Sequence, residues 1–145
     1  MGQAEKETEV TSVKRTGRLK WIVSGLLLAL AAFIVMSLPR GYSDDLSPIG
    51  KGKPAVVLIR DKNAVQSFDL IDVMNSIRDE YTGKVEFLLT DFDTRQGQVF
   101  AETHHATRAT LVLLDANGNL AKVLHAPQTA GSLRQEIGTL FGGKP

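Results

Sequence analysis

Residues 21–38 form one uncharged segment, WIVSGLLLALAAFIVMSL, and this run constrains the chain more than any other feature. At a rise of about 1.5 Å per residue, an α-helix of this length approaches the roughly 30 Å hydrocarbon thickness of a bilayer. Backbone polar groups in lipid must be paired within the segment, which requires a helix. Lys20 and Arg40 flank the run, Pro39 follows it, and Trp21 stands where interfacial aromatic residues occur. The sequence therefore predicts a single transmembrane helix over residues 21–38.

A cleaved signal peptide is the alternative interpretation of this run. Its apolar region would be about 7–15 residues long and would end at a small-x-small site. Ala29-Leu30-Ala31 has that pattern, but apolar residues continue beyond it through residues 33–36. We therefore expect an uncleaved signal anchor.

The basic residues near the run indicate its orientation. Lys14, Arg15, Arg18 and Lys20 precede it, whereas Arg40, Lys51 and Lys53 follow it. Because basic residues concentrate on the cytoplasmic side, we expect residues 1–20 to be a cytoplasmic tail. The rest of the chain would then be extracytoplasmic, on a bacterial inner membrane facing the periplasm.

Beyond the run, composition divides the chain into a linker and a domain. Residues 39–53, PRGYSDDLSPIGKGK, are rich in Pro, Gly, Ser and charge, which is typical of a linker. Residues 54–145 have globular patterning. Short apolar runs predict strands at 55–59, 85–89, 110–114 and 120–124, and helices are predicted at 65–81, 98–105 and 132–141.

Local signals add detail to these elements. Asn63 with Gln66 three residues later resembles a capping box, and Asn117-Gly118 predicts a hairpin. The spacing in the first helix predicts a buried face made of Val65, Phe68, Ile71, Met74, Ile77 and Tyr81. A parallel crossover followed by an antiparallel hairpin predicts an α/β fold, a mixed four-stranded sheet flanked by helices.

The composition limits the chemistry and the partners. The chain has no cysteine, which excludes disulfides, cysteine-ligated zinc, iron–sulfur clusters and a cysteine nucleophile within it. Its formal net charge is +1, without the clustered basic face of a nucleic-acid-binding protein. We therefore expect no nucleic-acid partner.

Over residues 54–141 the segment order resembles that of the thioredoxin family. The phrase RDEYTGKVEF resembles the family's helix-to-strand junction, and RATLVLLDANGN resembles its strand–turn–strand after the cis-proline. The resemblance implies a thioredoxin-like domain over residues 54–145. It aligns the family's CxxC motif with Ala64, Val65, Gln66 and Ser67, and it aligns the buried carboxylate with Leu58 and the cis-proline with Ala109.

These departures imply that the chain is not a thiol–disulfide oxidoreductase. The family's chemistry needs an attacking thiolate and a resolving thiol, whereas Ala64 and Ser67 supply a methyl group and a hydroxyl. A cis bond before a residue other than proline costs about 3–4 kcal/mol, so we expect a trans bond at Ala109. We expect no enzymatic activity and no cofactor.

The resemblance also implies a surface beside the degenerate motif that a protein partner would contact. That surface would comprise Arg60, Asp61, Lys62, Asn63, Thr107, Arg108 and Thr110. The sequence therefore favours a non-catalytic, membrane-tethered binding or assembly module with a protein partner.

Two other hypotheses come from different parts of the chain. A structural accessory subunit of a membrane complex would use the small residues of the span, Ser24, Gly25 and residues 29–32, for close helix packing. A metal-dependent or otherwise unrecognised enzyme would use Asp91, Asp93, His104 and His105. Adjacent helical residues point about 100° apart, so the two histidines do not chelate by themselves, and we expect no metal.

Overall fold

The computed structural model describes residues 16–37 and 41–142, and the chain divides after Arg40 into two units. In the first unit, helix α1 spans Thr16–Ser37, and the side chains of residues 20–35 are all exposed. Of the tail predicted at residues 1–20, residues 1–15 lie outside the described residues, as does Leu38, the last residue of the predicted span, whereas residues 16–20 belong to α1. Among the described residues, no helix is both long enough and apolar enough to cross a membrane.

The second unit is built on a four-stranded mixed sheet in the order β2-β1-β3-β4. Its strands are β1 (Ala55–Arg60), β2 (Glu86–Asp91), β3 (Thr110–Leu114) and β4 (Leu120–His125). β1 is parallel to β2 and antiparallel to β3, and β3 is antiparallel to β4. The predicted α/β class and mixed sheet are confirmed.

Helices cover both faces of this sheet. They are α2 (Val65–Ile77), which continues as a 3-10 helix (Arg78–Tyr81), α3 (Arg95–Thr103) and α4 (Ala130–Phe141). Because side chains alternate along a strand, Val56 and Leu58 of β1 join the core beneath α2 and α4, and Val57 and Ile59 join the core beneath α3. A central strand that is buried on both faces explains the unbroken apolar run of β1.

The buried face of α2 differs from the predicted one at its first turn. Ser67 and Leu70 are buried, whereas Val65 is 71% exposed and Phe68 is 51% exposed. The predicted face is therefore wrong at Val65 and Phe68, although Met74 is buried as expected.

The helix caps also differ from the prediction. Ala64 precedes α2 without a side-chain cap, so the capping box predicted from Asn63 is wrong. A capping box does form at α4, where Thr129 and Ser132 each accept a backbone hydrogen bond from the other.

Residues 41–53 pack against the sheet and therefore differ from the linker predicted over residues 39–53. The backbone N–H of Leu89 donates to the carbonyl oxygen of Ser43 at 3.0 Å, and the two chain segments run parallel there. The Tyr42 hydroxyl donates to Asn75 Oδ1 at 2.8 Å, and Leu46 packs against the core beneath α3. The folded unit therefore begins at Gly41, not at Pro54 as the composition of residues 39–53 suggested.

Candidate functional site

Three chain segments meet at one end of the sheet. Arg60 at the end of β1 lies beside Asp91 at the end of β2. The segment before β3 reaches the same end, because the backbone N–H of Ala109 donates to the carbonyl oxygen of Ile59 at 2.9 Å. We call the surface of residues 60–68, 91–92 and 107–109 the strand-end surface.

A carboxylate shared by two cations occupies one side of this surface. Arg60 forms a bidentate pair with Asp91, with Nε–Oδ1 at 2.5 Å and Nη2–Oδ2 at 2.9 Å. Lys62 Nζ lies 3.0 Å from the same Oδ2. The hydrogen bond from Arg60 holds the pKa of Asp91 below its usual value against the effect of burial, and Lys62 lowers it further. Asp91 is thus an ionised structural partner and not a proton donor near neutral pH.

A second ion pair joins residues 60–63 to residues 107–110, the two segments of the predicted partner surface. Arg108 Nη1 lies 3.2 Å from Asp61 Oδ2, and the Arg108 guanidinium stacks over the Phe92 ring at 4.4 Å. The backbone N–H of Asn63 donates to Asp61 Oδ1 at 2.9 Å. This hydrogen bond, followed by the one from Arg108, lowers the pKa of Asp61.

The other predicted surface residues divide into exposed and buried groups. Lys62, Asn63, Thr107 and Arg108 are exposed. Thr110 is buried, and its hydroxyl donates to the carbonyl oxygen of Thr107 at 2.6 Å. Thr110 therefore supports the surface from beneath, and its predicted role as a contact residue is wrong.

The four positions of the degenerate motif lie at the start of α2. Val65 and Gln66 are exposed, and Ala64 is half-buried. Ser67 is fully buried, and its hydroxyl oxygen accepts the backbone N–H of Asp61 at 2.9 Å. None of these four side chains therefore presents a nucleophile to solvent.

Ala109, aligned with the family's cis-proline, has a positive φ of 53°. Within residues 41–142 the cis peptide bond is Ala126–Pro127, so the bond before Ala109 is trans, as expected from its not being proline.

The histidines lie apart from this surface chemistry. The His104 ring contacts the Phe100 ring at a tilt of 55°, with the centroids 4.5 Å apart. Burial, followed by the nearby His105, lowers the pKa of His104. Asp91 is engaged by Arg60. Over the described ranges, no three His, Asp or Glu residues come together in a way that could hold a metal ion.

Two features were missed by the sequence reasoning. One is the exposed apolar pair Val65 and Phe68, since helical spacing alone assigned both to the core. The other is a shallow, mostly apolar groove of about 480 Å³ beside α3, bordered by Leu46, Val99 and Phe100. No local pattern marks this groove, because Leu46, which borders α3 there, comes from the segment that the composition suggested was a linker.

No protein-family model and no curated protein sequence matches the chain. Among solved structures, it resembles the solution structure of an uncharacterized thioredoxin-like protein from Clostridium perfringens. The TM-score is 0.61 at 16% sequence identity, over 68% of this chain and 79% of that chain. At this identity the likeness concerns the fold alone. The predicted thioredoxin-like fold is confirmed.

Proposed function

We propose that this chain is a non-catalytic, membrane-tethered binding or assembly module whose thioredoxin-like domain is extracytoplasmic and contacts a protein partner. The observation that carries the proposal is the exposure of Val65 and Phe68 at the start of α2. They lie three residues apart and thus on one side of the helix. Contiguous exposed apolar surface that is rimmed by polar groups is typical of interaction sites.

The chemistry around this pair supports a binding role over a catalytic one. The Ser67 hydroxyl is buried and bonded to backbone. The carboxylates of Asp61 and Asp91 are both paired with arginine, and both have lowered pKa values. Groups held ionised in this way are poor general acids, because proton transfer is most efficient when the pKa lies near the working pH.

The properties of α1 support the tether. Its exposed side chains include Trp21, Leu26, Leu28, Phe33 and Val35. An apolar surface of this kind is stabilised by removal from water, and lipid is the environment that also suits the uncharged run of residues 21–38. The basic residues that precede the run support a cytoplasmic N-terminus.

Site-specific crosslinking in the native membrane tests the binding role. A photoreactive residue replaces Val65 in one full-length variant and Val99 in another. Val99 is a matched control, because it is 52% exposed but lies on α3, on the other face of the sheet. We expect a discrete crosslinked protein from position 65 only, identified by mass spectrometry. Equal products from both positions, or none from position 65, would contradict the proposal.

An insulin-reduction assay tests the absence of thiol chemistry. We expect the full-length protein to match the uncatalysed rate, because the chain contains no cysteine. Reduction above that rate, in a preparation shown by mass spectrometry to be free of contaminating thioredoxin, would overturn the non-catalytic assignment.

A structural accessory subunit is the second candidate, and one observation on α1 favours it. Gly25 lies on the exposed surface of α1, and a residue without a side chain lets the backbone of another helix approach closely. Deleting residues 1–40 separates the two candidates. An accessory subunit should lose its complex entirely, whereas a binding module should still recognise its partner after leaving the membrane fraction.

A further inference from the structure

The exposed side of α2 carries two apolar residues followed by two carboxylates. Val65, Phe68, Asp69 and Asp72 occupy positions i, i+3, i+4 and i+7, so they form one stripe along the helix. All four are exposed. The apolar end of this α2 stripe belongs to the strand-end surface, and the acidic end lies about one turn further along.

The two carboxylates of the α2 stripe, Asp69 and Asp72, lack a salt-bridge partner within residues 41–142. The helix α2 itself contains no Lys or Arg. The basic residues that flank the helix on either side have contacts of their own. Lys62 pairs with Asp91 at 3.0 Å, and the Arg78 guanidinium lies 4.6 Å from the centre of the Tyr42 ring. The stripe thus presents negative charge beside an apolar contact.

We infer that the partner of the strand-end surface is a protein segment in which an apolar side chain is followed, within three or four residues, by Lys or Arg. The inference rests on the proposed function. The axial distance from Phe68 to Asp72 is about 6 Å, which is four residues of a helix or two of an extended chain. Complementary charge both speeds encounter and rejects acidic segments.

A displayed library of random peptides is the probe. The full-length protein is held in phosphatidylcholine nanodiscs, and peptides that bind empty nanodiscs are removed first. A second subtraction uses the Val65→Ser/Phe68→Ser variant. We expect the surviving peptides to be enriched in Lys or Arg within four residues of an aromatic or branched aliphatic residue.

A double variant of the two acidic residues, compared with two control variants on α3, then tests whether the carboxylates contact the peptides. Asp69→Asn/Asp72→Asn should weaken binding of the enriched peptides about fivefold at low salt and reduce the salt dependence, as expected for two exposed charge pairs. Val99→Ser and Glu102→Gln are the matched controls, since both residues are exposed on α3. These controls should bind the peptides as the wild type does, and thermal unfolding confirms that every variant is folded.

The outcomes separate this inference from the proposed function. Enrichment of neutral or acidic peptides that still require Val65 and Phe68 would overturn the charge assignment and leave the binding role standing. Failure to enrich any peptide that depends on Val65 and Phe68 would overturn both. Self-association in sedimentation that is lost in the Phe68→Ser variant would replace the basic segment with a second copy as the occupant.

Discussion

Ser67, which the sequence resemblance aligns with the resolving cysteine of thioredoxins, has a hydroxyl with a structural role in this chain. It accepts the buried backbone N–H of Asp61 at 2.9 Å, which fixes the loop that carries the Asp61–Arg108 pair. Ser67→Ala should lower the free energy of unfolding by about 1–3 kcal/mol, because it leaves that N–H without an acceptor. Ser76→Ala on the exposed side of α2 should cost less than about 0.5 kcal/mol. Urea unfolding of the full-length variants measures both changes, and equal losses would contradict the assignment.

Gly97 has a different structural role, since it allows the end of β2 to approach α3. A Cβ atom at Gly97 would overlap the Asp91 carbonyl oxygen, and the atom it would meet is rigid backbone. Gly97→Ala should therefore lower the free energy of unfolding by about 2–3 kcal/mol through overpacking. Gly131→Ala is the control, because Gly131 also lies in the first turn of a helix after a threonine cap, where the nearest atom would be 3.8 Å away. That control should be neutral or stabilising by up to about 1 kcal/mol, as calorimetry can test.

Among the elements, α2 shows how far periodicity predicts packing. The 3.6-residue pattern predicted the helix and the burial of Met74. It succeeded there because the middle turns of α2 pack against the core on one side and face solvent on the other. The pattern failed at the first turn, where Val65 and Phe68 are exposed and Ser67 is buried. Which side of the first turn faces the core depends on tertiary packing, which spacing within the helix does not encode.

The ion pair that joins β1 to β2 predicts a response to acid. Arg60 lowers the pKa of Asp91 below its value in the unfolded chain, so the stabilisation is present above the unfolded pKa of about 4. It is lost as the pH falls through the folded pKa. The unfolding free energy, measured between about pH 5 and pH 2, should therefore fall less steeply in Asp91→Asn and Arg60→Gln than in the wild type. If the unfolding free energy of both variants fell with pH as steeply as that of the wild type, the assignment would be wrong. A smaller residual slope is expected, because hydrogen bonds and ion pairs also lower the pKa values of Asp61 and Glu80.

At the scale of the whole chain, the four strands, the parallel first crossover and the antiparallel hairpin could be predicted, but the spatial order of the strands and the surface that they build could not. Continuous apolar runs such as β1 and β3 indicate central strands whatever lies around them. The strand-end surface depends instead on pairs that are far apart in sequence, such as Arg60 with Asp91 and Asp61 with Arg108. Residues 41–53 were misjudged for a related reason, since their few apolar side chains follow neither a helical nor a strand period.

The placement of those residues gives a prediction about which fragment of the chain can fold. Both buried clusters consist of residues after Gly41, so a fragment of residues 41–145 should unfold cooperatively. A fragment of residues 54–145 lacks Tyr42, Leu46 and Ile49, which are partly buried against those clusters, and it lacks the bridge from Ser43 to β2. It should be less stable by about 3 kcal/mol, near 1 kcal/mol for each half-buried side chain. Urea unfolding compares the two fragments, and equal midpoints and slopes would mean that residues 41–53 contribute only a tether after all.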